Sequence, residues 1–141
     1  MQAQITQGVP AGAGGREGES APKEIIIKRN GYWWNKLEDV IYYAAQKAMI
    51  KGLVVKSMTG RVEVLVGGKK FMIKDFDDVY LTLWDIMEAL GYDWITVNDF
   101  PFDGGVVFYK DGREVLSIWE EGEQDEKGDV ITREIKVVLG E

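Results

Sequence analysis

The sequence predicts an α+β domain, with one mixed or mainly antiparallel sheet, two principal helices packed on it and a flexible N-terminal arm before it. Three observations carry this. Two segments, Asn30–Gly52 and Asp75–Gly91, place apolar residues at helical spacing. Two alternating stretches are each split by a two-residue turn, Gly67-Gly68 and Asp111-Gly112, which marks a β-hairpin. Residues 1–22 are rich in Gly, Ala, Gln and Ser and include Pro10 and Pro22, with too little apolar surface to offset the entropy of ordering. The expected organisation is an arm over 1–22 and a single domain over 23–141.

In chain order, Glu24–Arg29 reads as a strand, bounded by Pro22 and the Asn30-Gly31 turn signal. In the helix that follows, Trp33, Trp34, Leu37, Val40, Ile41, Ala44, Ala45 and Ala48 fall on one arc, as a core-facing helix requires. Gly52 is the expected stop, and Lys47 and Lys51 in the last turns suit the helix dipole. Away from the core arc, Lys36, Tyr43 and Lys47 share a narrow wedge. An aromatic between lysines suits a stacked base with its flanking phosphates, worth roughly 1–3 kcal/mol per base.

Leu53–Lys56 is a short strand or connector. The first hairpin, Arg61–Val66 and Lys69–Lys74, should bury Val62, Val64, Val66, Phe71 and Ile73 on one face. Its other face carries Arg61, Lys70 and Lys74, with Glu63, Leu65 and Met72 between them. Asp75, Asp77 and Asp78 open the second helix, where capping and the helix dipole account for them. Its core stripe is Val79, Leu83, Ile86, Met87 and Leu90. Its other face sets Leu81 and Trp84 among Asp77, Asp85 and Glu88, the composition of a protein-contact patch.

Asp93–Val97 is a strand, and the loop Asn98–Gly104 presents Phe100 and Phe102 around Pro101. The second hairpin, Gly105–Lys110 and Arg113–Trp119, sets Phe108 with Val115 and Val107 with Leu116. It is apolar on both faces, which places it centrally in the sheet. Glu120–Asp129 is an acidic surface loop and Val130–Leu139 a last strand.

Composition narrows the chemistry. The 141 residues contain no cysteine and no histidine. Disulfides, thiolate catalysis, histidine-based triads and the usual zinc ligands are thereby excluded. Gly67-Gly68-Lys69-Lys70 lacks the spacing of a phosphate loop, and Gly12–Gly15 lies in the arm rather than after a strand. No catalytic residue, metal or cofactor is expected. No apolar run is long enough for a membrane span and no charged start leads into an apolar signal core, so the expected location is cytoplasmic, without membrane contact. Many charges and β-branched residues with few amides are compatible with a thermophilic source.

The net charge of −7 is unevenly distributed. Residues 1–74 carry 12 Lys/Arg and 6 Asp/Glu, a net +6, whereas residues 75–141 carry 5 and 18, a net −13. Such sorting predicts two surfaces of opposite sign.

Between Leu81 and Glu121 a helix, a Gly-Tyr turn, a strand, Asp103 and a hairpin on Asp111-Gly112 succeed one another. This order resembles the core of restriction-endonuclease-like nucleases. The resemblance implies a metal-binding aspartate at Asp103 and a closing Glu-x-Lys. The second strand instead reads Ser117-Ile118-Trp119-Glu120-Glu121, with no lysine before Lys127. What the resemblance implies is therefore a divergent or inactive scaffold, or a magnesium site of Asp103 with Glu120 or Glu121.

The leading expectation is a small non-enzymatic nucleic-acid-binding protein, for single-stranded DNA or RNA rather than duplex. Its surface would join Lys28, Arg29, Lys36, Lys47, Lys69 and Lys70 with Tyr43 and Tyr32. An aromatic-bearing sheet can bind single strands without an RNA-recognition signature. The alternative is an assembly or interaction protein. There the basic face of one subunit meets the acidic face of the next, Leu81, Trp84, Asp85 and Glu88 form the contact, and the arm orders on a neighbour.

Overall fold

A computed structural model of the chain describes residues 23–99 and 103–140. The arm over 1–22 and the loop tip at Phe100, Pro101 and Phe102 lie outside the described residues. The elements run β1 (Lys23–Lys28), α1 (Trp33–Lys47), β2 (Val54–Met58), β3 (Arg61–Val66), β4 (Lys69–Ile73), a 3-10 turn (Phe76–Asp78), α2 (Val79–Ala89), β5 (Asp93–Asp99), β6 (Asp103–Lys110), β7 (Arg113–Gln124) and β8 (Val130–Leu139).

The α+β class holds, but the single sheet becomes two. β5 to β8 form an antiparallel meander that β1 extends beside β8, in the order β1-β8-β7-β6-β5. β2, β3 and β4 form a separate antiparallel sheet. The reason lies in α1. Its buried residues, from Val40 round to Ala45, span roughly 140° of the helix surface, wider than the ~100° stripe that packs on one surface. α1 accordingly contacts β1 and β7 of one sheet and β2 and β3 of the other. α2 contacts β4, and its Trp84 ring lies 4.8 Å from Trp94 of β5. The two helices thus form a middle layer between a large and a small sheet. They run in the same direction, since Trp33 meets Phe76 near their starts and the Tyr92 hydroxyl, just past α2, donates to the Ala44 carbonyl at 2.7 Å.

Most of the expected core is in place. Leu37, Ile41, Val62, Val64, Ile73, Val79, Leu83, Ile86 and Met87 are fully buried, and Phe71 and Trp34 are partly covered. Of the aspartates at the start of α2, Asp75 acts as a cap, while Asp77 pairs with Arg29 and Asp78 makes no side-chain capping bond. Asp75 Oδ1 accepts from the Asp77 amide at 3.0 Å, and the chain makes a 3-10 turn before entering the helix.

Three local expectations are corrected. First, α1 stops before Gly52, so Lys51 lies outside it. Met49 takes the left-handed position with φ 58°, and the amides of Met49 and Ile50 close onto the carbonyls of Gln46 and Ala45, both at 3.0 Å. Second, Glu120–Gln124 is strand rather than loop, because Val130 to Thr132 of β8 pairs with it. The turn is closed by Asp125, whose Oδ1 accepts from the amides of Lys127 and Asp129 at 2.9 and 2.8 Å. Third, Phe108 pairs with Leu116, not Val115, and Val107 with Ser117, not Leu116. A β-bulge after Glu114 shifts the register by one, and the Gly140 amide takes the Val115 carbonyl at 2.6 Å.

The ladder divides the five-stranded sheet into two unlike faces. Ile27, Ile135, Val137, Ile118, Leu116 and Phe108 share one face and are fully buried beneath the helices. The other face carries Ile26, Val138, Trp119, Val107, Ile95 and Val97, of which none is fully buried.

Candidate interaction surfaces

The structure separates the seven side chains of the expected nucleic-acid surface. Arg29 follows β1 and is engaged on three sides. Its Nε donates to the Thr132 carbonyl at 2.9 Å, its guanidinium pairs with Asp77, and its Cζ sits 5.1 Å from the Phe76 ring centre. Tyr43 is half-buried, and its hydroxyl donates to the Gly140 carbonyl at 2.6 Å. Burial raises its phenol pKa, and Lys47 Nζ covers its ring from 5.6 Å. Thr132 and Gly140 are eight residues apart along β8, roughly 26 Å, so Arg29 and Tyr43 serve opposite ends of the sheet.

Lys28 and Lys36 are exposed, and Lys36 follows Tyr32, itself 73% exposed, by one helical turn. Lys69 and Lys70 lie across the molecule on β4, exposed, with Lys70 Nζ 3.6 Å from Glu63. Glu63 also pairs with Arg61 at 3.0 Å.

That small sheet has an outward face of mixed character. The register puts Val54, Leu65 and Lys70 in one row and Lys56, Glu63 and Met72 in the next, with Met58 and Arg61 beyond. Val54, Met58 and Leu65 are exposed. Alternation adds Lys74, giving Lys56, Arg61, Lys70 and Lys74 against the single carboxylate of Glu63, a net +3.

On α2, Leu81 is 64% exposed and Asp85 is exposed. Trp84 is covered by Trp94, whose indole N–H donates to Glu88 Oε2 at 2.7 Å. Leu81 therefore stands open, while Trp84 and Glu88 are tied to β5.

Sequence reasoning missed the second face of the large sheet. Trp119 lies flat across Gly105, where an added Cβ would come within 2.4 Å of the indole. Its Nε1 donates to Ser117 Oγ at 2.9 Å, which accounts for a buried serine among apolar neighbours. Around this indole stand Ile26, Val138, Val107, Val97 and the 58% exposed Ile95. Lys136 stands between Ile26 and Trp119 and pairs with Glu121 at 3.9 Å; with Glu24, Asp93, Glu114, Glu134 and Lys28 around them, the face carries a net −3. The signal was visible in the sequence, since Val107 beside Phe108 and Val138 beside Val137 put apolar residues in both phases of the alternation.

No family, characterised protein or solved structure matches this chain.

The chemistry must therefore be read from the side chains. Glu120 and Glu121 point to opposite faces of β7, and Glu120 Oε2 accepts from the Thr132 hydroxyl at 2.6 Å. The side chain of Asp103 lies outside the described residues. Among the described residues no three carboxylates gather as a metal centre needs. No helix among them is long and apolar enough to cross a membrane.

Proposed function

We propose that this chain is a non-enzymatic assembly protein that associates with copies of itself through the outer faces of its sheets. The second face of the five-stranded sheet carries the reading. Ile95, Val97, Val107, Val138, Ile26 and Trp119 form an apolar surface, broken by Lys136 between Ile26 and Trp119, that helices do not cover. Exposed apolar surface with a polar rim is the usual mark of a contact surface. The charge sorting supplies orientation, with one sheet face at net −3 and another at net +3.

Sedimentation velocity of the intact chain over a wide concentration range tests this reading. Mass should rise with concentration, and Ile95→Lys with Val107→Lys should return it to the monomer while the circular dichroism spectrum is kept. A monomer at every concentration refutes it.

A second reading, single-stranded nucleic-acid binding, draws support from Tyr32 beside Lys36 on the exposed back of α1. Here Tyr32 replaces Tyr43 as the stacking ring, because the Tyr43 hydroxyl and ring are already engaged. Titrating tryptophan fluorescence with oligonucleotides at two salt concentrations tests it. Saturable quenching with a logarithmic salt slope of about −0.7 per phosphate contact supports it. No quenching removes it.

A further inference from the structure

We infer that the partner of the open face of the five-stranded sheet is the outward face of the small sheet of a second copy, in a head-to-tail contact. This rests on the self-assembly reading above and names its two surfaces.

The argument begins with what the open face rejects. Its apolar centre is flanked by charge at both ends of the strands, Asp93 and Glu114 at one end and, at the other, Glu121 and Glu134, with Lys136 3.9 Å from Glu121 and Lys28 opposite Glu134. Pairing this face with itself about a two-fold axis along the strands brings the Asp93 and Glu114 ends together, and about either in-plane axis it sets one net-negative face against another. Like charges brought together across an interface are unfavourable. The outward face of β2-β3-β4 offers the complement. Its exposed apolar residues Val54, Met58 and Leu65 match an apolar centre, and Lys56, Arg61, Lys70 and Lys74 match an acidic rim. Glu63 is already satisfied by Arg61 and Lys70 within its own sheet. Sheet-on-sheet packing of this kind places the two layers ~10 Å apart.

Because the helices lie between the two sheets, the two faces point away from each other. A contact joining unlike faces of successive copies does not close on itself, and it stacks copies into an open chain. The small sheet sets the strength. Three strands of five to six residues cover roughly 14 by 17 Å. That falls below the ~800 Å² per partner of a stable interface. Each contact is therefore weak, and the assembly depends on concentration and on salt.

The experiment uses the intact chain and two charge-reversed variants, Lys56→Glu with Lys70→Glu on the small sheet and Glu121→Lys with Glu134→Lys on the large one. Each is checked for folding by circular dichroism, and sedimentation velocity reads the mass. Lys74→Glu and Glu114→Lys, at exposed strand ends, replace any variant that fails to fold. The expected result has three parts. The wild-type mass grows past the dimer and falls with added salt, each variant alone stays at the monomer mass, and an equimolar mixture of the two assembles again. Loss of association in the large-sheet variant alone would mean open face against open face, which overturns this inference and leaves self-assembly standing. Unchanged association in both variants does the same. A wild type that stays monomeric overturns both.

Discussion

Arg29 separates a structural role from a binding role, because the sequence assigns it to a nucleic-acid surface and the structure gives it three internal partners. Arg29→Ala removes a hydrogen bond from a charged donor to the partly buried Thr132 carbonyl, worth about 1 kcal/mol net. It removes a guanidinium over Phe76, worth roughly 0.5–1 kcal/mol at a half-exposed site. The pair with Asp77 adds little, about 0–0.5 kcal/mol, since that carboxylate is 62% exposed. The expected loss is about 2 kcal/mol. Scaled to the roughly 115 described residues, with an unfolding entropy near 0.24 kcal/mol/K, this lowers the melting temperature by roughly 8 °C. Urea unfolding followed by circular dichroism should show a lower midpoint with an unchanged slope. Arg29→Lys should recover little, because an ammonium cannot hold carbonyl, carboxylate and ring together. An unchanged midpoint in Arg29→Ala, accompanied by weaker oligonucleotide binding, would refute the structural account.

Met49 is 86% exposed and holds φ 58°, so Met49→Gly should stabilise by about 1 kcal/mol and Met49→Ala by nearly nothing, as read by thermal unfolding. Tyr92, raised to about 12 by burial and then by the nearby Tyr43, keeps its proton more tightly folded than unfolded. Its stabilising contribution is complete below pH 10 and is lost as pH rises toward 12, so Tyr92→Phe should make the alkaline decline shallower. At neutral pH the same variant should cost about 1 kcal/mol through the lost bond to Ala44. Gly105→Ala should displace the Trp119 indole, visible as a red-shifted tryptophan emission, because the new Cβ would overlap the ring.

The helices and both hairpins were legible because their signals are local. The period of α1 and α2, the Gly67-Gly68 and Asp111-Gly112 turns and the Asp75 cap each lie within a few residues of what they determine. The second sheet was not legible, since nothing in Lys23–Lys28 selects β8, more than a hundred residues away, over β2 nearby. The bulge after Glu114 escaped for the same reason. Its carbonyl partner, Gly140, arrives only when the chain end does. The site suffered most. Helical spacing puts Lys36, Tyr43 and Lys47 on one wedge correctly, but spacing cannot show that Tyr43 reaches a carbonyl 97 residues on. Apolar residues in both phases of the β6–β7 hairpin predict cover on both sides, whereas helices cover only one.

The charge asymmetry survives folding because the connectivity is nearly sequential. Residues 23–74 build α1 and the small sheet, and residues 75–139 build α2 and four of the five strands of the large one. Only β1 crosses over, carrying Lys23 and Lys28 to the acidic sheet. A split along the chain thereby becomes a split across layers. The helix layer between the sheets is roughly 10–12 Å thick, greater than the ~8 Å Debye length at physiological ionic strength. Through solvent, then, the two outer faces are largely screened from each other. In the proposed assembly, a neighbour docked on the acidic face would do little to neutralise the basic one. Each copy added in that assembly would present the same unsatisfied face as the copy before it, so growth should be limited by concentration and salt rather than by the charge already accumulated.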